Sequence, residues 1–276
     1  MKIWQSMLLG LVQGLTEFIP VSSSGHIVLT RHFIHAVPDS PLLLEISVHM
    51  GTLFALFIVY RRKLLDLAGF ALHDAFQKCG EKGWLSRFRE DERGKTILFI
   101  LVACIPTAII GLIFKDTFEG LFGNPPFASA ALIVTGIALF STRWIPATLR
   151  DKGKLGLFQA LGIGLIQGLA IIPGISRSGS TISAGMWLGI KGNEAADFSF
   201  ILSIPAIIGA FFLVIKDIST FYLEELPPLA AGFIVAAVSG YLSLEFLLRH
   251  IRKGGLSNFA WYCWILALAS LAAYYL

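Results

Sequence analysis

Apolar stretches long enough to cross a bilayer follow one another through the whole chain, and the charges collect between them. A hydrocarbon core of roughly 30 Å takes about 20 apolar residues in a helix. Six stretches, at about 43–60, 96–114, 127–147, 198–215, 228–248 and 257–276, each read as one crossing. Two others, residues 1–36 and about 156–190, are long enough for two short helices but are broken centrally by Pro, Gly and Ser. Each reads as a helical hairpin returning to its starting side, because irregular backbone survives at membrane depth only where protein or water satisfies it. The 276 residues are 55% hydrophobic and 14% charged, against about a quarter charged in soluble domains. With a mean hydropathy of +0.74, this predicts an all-α polytopic membrane protein, 1–276 forming a single integral membrane domain.

Other classes are excluded on the same ground. Cys79, Cys104 and Cys263 are widely spaced with no CxxC, so they make neither a disulfide framework nor a zinc site and read as packing residues. A net charge of +4 comes without the soluble basic and aromatic surface that nucleic-acid binding uses, so no nucleic-acid partner is expected. Gln13 and Glu17 interrupt the first apolar run and no A-x-A-like site follows, against a removable signal peptide.

The basic residues orient the chain. With hairpins that return and six single crossings, Lys2, Arg31, Lys115 and Lys216 fall on one side and Arg177 lies inside the second hairpin. The remaining seventeen of the 22 lysines and arginines fall on the other. The positive-inside rule makes that side cytoplasmic, including a polar loop at about 62–95, and puts both termini outside. Parity does not decide whether a hairpin dips halfway or crosses fully.

Laying residue n over n+154 aligns Gly10-Leu11-Val12-Gln13-Gly14-Leu15 with Gly164-Leu165-Ile166-Gln167-Gly168-Leu169, and Ser22-Ser23-Ser24-Gly25 with Ser176-Arg177-Ser178-Gly179. The hairpins read as copies, opening repeats at about 1–147 and 155–276. Three crossings separate them, so they enter from opposite faces as an inverted repeat. Ile105-Pro106 and Ile204-Pro205 fall in non-equivalent crossings and read as ordinary proline kinks.

Two hairpins entering from opposite faces would bring their tips together, each with Ser and Gly at the start of its second helix. Free N–H groups and the positive dipole end favour an anion there, and Ser22, Ser23, Ser24, Ser176, Ser178 and Thr181 add hydroxyl donors. Phosphate is the natural candidate, since the Arg177 guanidinium can hold a phosphoryl group through two parallel hydrogen bonds. Gln13 and Glu17, one helical turn apart, share a helix face directed at the same place. A carboxylate beside phosphate calls for a hard divalent cation, Mg²⁺ or Ca²⁺, bridging Glu17 and phosphate oxygens, while Gln13 alone signals little. The plain structural alternative is that Glu17 and Arg177 only hold helices together as an ion pair. His26 at the first tip can be a nucleophile or a general acid and base. Of the other histidines, His32 and His35 belong at the outer interface and His73 and His250 in cytoplasmic regions, while His49, within a crossing, reads as a structural hydrogen-bonding residue, the alternative being a place behind the site residues.

The segments Gln13-Gly-Leu-Thr-Glu17-Phe-Ile-Pro-Val-Ser-Ser-Ser-Gly-His26 and Pro173-Gly-Ile-Ser-Arg177-Ser-Gly-Ser-Thr181 resemble the two signatures of the bacterial undecaprenyl-diphosphate phosphatases, the bacitracin-resistance family. The resemblance implies a multi-pass enzyme of the bacterial plasma membrane with an outward-facing active site. Its reaction would be metal-dependent removal of the terminal phosphate from a C55 isoprenyl diphosphate, yielding the monophosphate carrier of cell-wall synthesis. By the same resemblance Glu17 is the metal-site carboxylate, Arg177 the phosphate clamp, Ser176 and Thr181 phosphate ligands, and Ser23 or His26 the nucleophile. Gln13 stands where relatives can carry Glu, which weakens the metal site unless water or substrate oxygen completes it, so its implied role there is a supporting one. The prenyl tail would lie between helices in the lipid bilayer. A homodimer is left open.

Two rivals differ in testable ways. Phosphatidic-acid-type phosphatases share Ser-Gly-His and Ser-Arg elements, but their later His and Asp are replaced here by Ser183 and Trp187. An inverted-repeat transporter or flippase of a prenyl phosphate would need the same anion site and no nucleophile.

Overall fold

The computed structural model describes residues 1–35, 41–74, 83–146, 148–149, 153–217, 223–251 and 254–276. Cys79 and six of the basic residues placed on the cytoplasmic side, Lys78, Lys82, Arg150, Lys152, Arg252 and Lys253, lie outside them. Among the described residues there is no strand.

The first broken stretch folds as α1 (Ile3–Phe18) and α2 (Ser23–Phe33), followed by α3 (Pro41–Gly69), α4 (Gly83–Glu90), α5 (Glu92–Ile113), the short α6 (Lys115–Leu121) and α7 (Pro125–Ser141). The second broken stretch folds as α8 (Leu157–Leu169) and α9 (Arg177–Trp187), followed by α10 (Gly192–Asp217), α11 (Leu226–Ile251) and α12 (Phe259–Tyr275). Helices α3, α5, α7, α10, α11 and α12 supply six candidate spans among the described residues. The hairpin helices have 16, 11, 13 and 11 residues. At 1.5 Å per residue none exceeds about 24 Å, short of a roughly 30 Å hydrocarbon core. Their lengths fit hairpins that turn back rather than cross.

The stretch expected as a polar loop at about 62–95 is largely helical where described. Helix α3 runs on to Gly69 and one π-helical turn, Phe70–Asp74, follows it before α4. Its inward face is apolar: Leu67 and Phe70 are buried, and Phe70 meets Phe88 of α4 edge to face at 5.2 Å between ring centroids. Arg93 caps this cluster, 5.0 Å above the Phe70 ring and paired with Asp66 and Asp91.

Packing follows the internal repeat, with partners exchanged between halves. Helix α1 lies along α11, the second span after the other hairpin, and α8 lies along α5, the second span after the first hairpin. Both contacts use small residues. A side chain at Gly10 would strike the Gly232 carbonyl, and one at Gly14 the Ser239 hydroxyl; at the equivalent Gly164 and Gly168 it would strike the Ala103 carbonyl and Ile110. Within lipid, where apolar surface gives no net drive for helices to associate, such close backbone approach supplies the dispersion energy that holds them. Helices α7 and α12, the last of each half, pack on one another. One of the places where the symmetry breaks opens a cavity. Helix α3 packs along α11, whereas the equivalent pair α5 and α10 touch over a much shorter length, and a cleft opens between them.

Candidate active site

The break in each hairpin is a capped helix start. Ser22 accepts a hydrogen bond from the Gly25 amide (3.2 Å), and Ser176 accepts one from the Gly179 amide (3.0 Å), so the caps coincide under the 154-residue offset. Ser22 holds this position at a positive φ of 70°. The tips meet through glycines: a Cβ on Gly25 would press on Gly174, and one on Gly179 on the Ser176 side chain and the Pro20 carbonyl. Thr135 of α7 pins the second tip, donating to the Gly174 carbonyl and accepting from the Ser176 amide (2.8 and 2.9 Å).

The first residues of α2 and α9, Ser23 and Arg177, occupy equivalent positions, and both bind Glu17. The Ser23 hydroxyl donates to Oε2 of Glu17 at 2.6 Å and Arg177 donates to Oε1 at 2.7 Å. The Gln13 amide donates to Oε2 at 3.0 Å, and His49 Nε2 lies 3.8 Å from the same oxygen. Glu17 is 8% exposed. An arginine in the first turn of a helix opposes the helix dipole, and the carboxylate compensates for it. A second arginine bond, 3.3 Å to the Ser199 carbonyl of α10, fixes its orientation.

Glu17, Ser22, Ser23, Ser24, Ser176 and Arg177 line a cavity of about 650 Å³. Its walls toward α6 are apolar, from Ala108 and Leu112 of α5 and Ile207, Leu213 and Val214 of α10, with Lys115 and Glu119 at the rim. One end is therefore polar, with hydroxyls and a guanidinium able to hold an anion, and the other is apolar and suits a hydrocarbon chain, the usual form of a ligand cleft with few placed polar groups.

Four residues singled out in the sequence do not line the cavity. Gln13 is fully buried behind Glu17. Ser178 and Thr181 face inward and brace the arginine: Ser178 reaches the Glu17 carbonyl at 3.4 Å, while Thr181 bonds to the Arg177 carbonyl (2.8 Å) and to the Ser199 hydroxyl. His26 turns to the opposite side of α2. Its Nδ1 meets the Ser22 carbonyl at 2.7 Å, so that nitrogen carries the proton, and Nε2 meets the Tyr262 hydroxyl at 2.8 Å with the two rings stacked. Both ring nitrogens are engaged in shaping the tip.

His49 meets both readings made of it: it makes the structural bond, Nδ1 to the Glu45 carbonyl at 2.7 Å, and it lines the cavity beside Glu17. The sequence reading missed other members of the site. Glu45, half-buried in the same wall, pairs with Arg31 at 2.9 Å. Gln167 and Thr107 line the cavity from α8 and α5. No motif marks them; only the offset linking Gln167 to Gln13 offered a signal.

The residues present can be weighed against a divalent cation. Among the described residues no three His, Cys, Asp or Glu side chains gather into a ready metal cage. Of the carboxylates that line the cavity, Glu45 is paired with Arg31 and Glu119 with Lys115, which leaves Glu17 at the hairpin tips, and the Gln13 amide oxygen behind it is buried without a hydrogen-bond partner. A hard cation bound by one carboxylate, one amide oxygen and phosphate oxygens fits that donor set, since Mg²⁺ is commonly held by one or two carboxylates plus substrate phosphates.

The fold and site thus define a class: a polytopic membrane protein whose inverted halves enclose a polar pocket of hydroxyls, a guanidinium and a carboxylate that opens to an apolar cleft. Residues 6–269 match the family model described as bacitracin resistance protein BacA, and the chain belongs to that family. Proteins named undecaprenyl-diphosphatase are similar over nearly their whole length. The one from Desulfatibacillum aliphaticivorans is 41% identical over 97% of both chains. Those from Syntrophotalea carbinolica (38% identical, 96% of this chain and 97% of the relative) and Carboxydothermus hydrogenoformans (39%, 98% and 97%) are close to it in similarity.

Proposed function

We propose that this chain is an integral membrane phosphatase that hydrolyses undecaprenyl diphosphate to undecaprenyl phosphate and inorganic phosphate. Such a reaction returns the lipid carrier to cell-wall synthesis and confers bacitracin resistance. The observation that carries this reading is the pair of bonds to Glu17: a serine hydroxyl from one tip and a guanidinium from the other meet on a single buried carboxylate at the cavity. A hydroxyl held on a base is an activated nucleophile, and a flippase has no need of one.

In this reading Arg177 clamps the terminal phosphate, helped by Ser24, Ser176 and the free amides of the capped helix starts. Ser23 Oγ attacks the terminal phosphorus while its proton passes to Glu17. The bond from that phosphorus to the bridging oxygen breaks, and the electron pair leaves with the prenyl monophosphate, which takes the proton. Water then cleaves the phosphoserine, with Glu17 accepting the water proton and returning one to Ser23. Ser23 is preferred over His26 because it lines the cavity while both His26 nitrogens are engaged elsewhere. Glu17 and the Gln13 amide oxygen would hold a Mg²⁺ or Ca²⁺ ion, whose chemistry is to neutralise charge on the phosphates. The prenyl chain would lie along the apolar walls between α5 and α10. The cavity opens toward α6, on the side opposite the basic loops, which supports an active site and two termini facing outward.

The test is release of inorganic phosphate from a C55 diphosphate by purified protein in detergent with Mg²⁺ or Ca²⁺, together with mass-spectrometric search for phosphate on Ser23. Folded protein that releases none, yet moves the lipid phosphate across vesicles, would establish the flippase instead.

A further inference from the structure

Gln167 occupies in the second hairpin the place that Gln13 holds in the first. The Gln13 amide is taken up by Glu17 at 3.0 Å. Four residues beyond Gln167 the chain carries Ile171 rather than a carboxylate, so Gln167 has no such partner. Its side chain is 2% exposed and lines the cavity. Its Oε1 has no hydrogen-bond partner, and its Nε2 has one long contact, 3.4 Å to Thr107 Oγ1. The Thr107 hydroxyl in turn points at the Gly164 carbonyl (2.8 Å). A buried amide with one idle end is costly unless something arrives to satisfy it. Turning the terminal amide by 180° exchanges oxygen and nitrogen without changing its shape. Thr107 can then turn its hydroxyl from the Ala103 and Gly164 carbonyls to donate to Oε1, and the NH₂ group takes the unpartnered place of the oxygen, as a donor on a residue that lines the cavity.

We infer that Gln167 is a substrate-contacting residue that hydrogen-bonds the second phosphate of a diphosphate headgroup and so distinguishes a diphosphate from a monophosphate. This rests on the phosphatase reading for the class of ligand. Arg177 is anchored toward α10 and Glu17, through the Ser199 carbonyl and the carboxylate, whereas Gln167 stands on the wall shared with Thr107 of α5. A diphosphate headgroup, longer than a single phosphate, is better able to touch both walls. Hairpin two is also the one lacking a carboxylate beside its glutamine, so its wall receives the second phosphate without charge repulsion. After hydrolysis the contact is made by one phosphate or by none, which favours release of the monophosphate product.

The experiment is calorimetric binding, in detergent with Mg²⁺, of a prenyl methylenediphosphonate, which cannot be hydrolysed, and of the matching prenyl monophosphate. Wild-type protein is expected to prefer the diphosphonate. Gln167→Leu should reduce that preference about tenfold while leaving monophosphate affinity within about twofold, the scale of one lost hydrogen bond to a charged group. Gln167→Glu, of the same shape but with added negative charge, should lose at least as much and serves if the leucine variant does not fold. An unchanged preference in the variants, equal weakening of both ligands, or a wild type that binds neither would overturn the inference. Because this readout needs no turnover, failure of wild-type protein to release phosphate would count against the phosphatase reading and leave the role of Gln167 to be judged by the ratio.

Discussion

Glu17 and Arg177, 160 residues apart in the chain, face one another at 2.7 Å where the two hairpin tips meet. Each comes from a different half, so this ion pair forms only when both hairpins are inserted and docked. Breaking a buried pair leaves one charge uncompensated and costs about 3–5 kcal/mol, whereas replacing both partners is often neutral. Arg177→Met and Glu17→Gln should therefore each lower thermal stability in detergent and abolish phosphate release. The double variant should recover most of the stability and none of the activity. A double variant with substantial turnover would remove both residues from the site.

Ser23 and His26 separate by their products. Ser23→Ala should lower turnover by at least about a hundredfold, the scale of losing an activated nucleophile, with little change in unfolding temperature. His26→Ala should lower stability as well as activity, because it removes the bonds to Ser22 and Tyr262 that hold the tip at its positive φ. Rapid-quench labelling with a radiolabelled diphosphate should place phosphate on Ser23; label on His26 would reverse the assignment.

The dependence on divalent ions should follow the charge at position 13. Chelation is expected to stop turnover and Mg²⁺ or Ca²⁺ to restore it. Gln13→Glu adds a second carboxylate one turn from Glu17 and should lower the metal concentration for half-maximal rate several-fold. A titration of rate against free Mg²⁺ checks this, and an unchanged midpoint would place position 13 outside the metal's reach.

The second tip depends on a glycine. Gly174 has φ of +94°, and a Cβ there would collide with the Ala128 carbonyl of α7. Gly174→Ala should destabilise the protein by about 1–3 kcal/mol, the usual cost of a non-glycine residue in such a conformation, and reduce turnover by displacing Ser176 and Arg177. Scanning calorimetry alongside the phosphate assay would show whether the two losses move together.

Much of the architecture was legible in the chain because it depends on local composition. The six spans, the two broken stretches and the serine caps follow from apolar length, from Pro and Gly, and from hydroxyls at helix starts. The periodicity that put Gln13 and Glu17 on one face also held, since four residues make about one helical turn. The placing of Ser178, Thr181 and His26 was not legible. They sit in the right motifs, but on helix faces that turn from the cavity toward α10, α12 and the other tip. His49 and Gln167 carry no motif at all and join the site because α3 and α8 happen to form its walls.

By itself the sequence determined that this chain spans a membrane, that it contains two copies of one re-entrant unit, and that hydroxyls, one carboxylate and one guanidinium lie at the breaks. These follow from the cost of exposing polar backbone to lipid, which each segment meets on its own. Only the tertiary structure decided that α1 pairs with α11 and α8 with α5, that Ser23 and Arg177 share the two oxygens of Glu17, and that the cleft opens between α5 and α10 and not between α3 and α11. Those outcomes turn on which small-residue surfaces from opposite halves pack closest, an energy spread over many weak contacts between segments far apart in the chain.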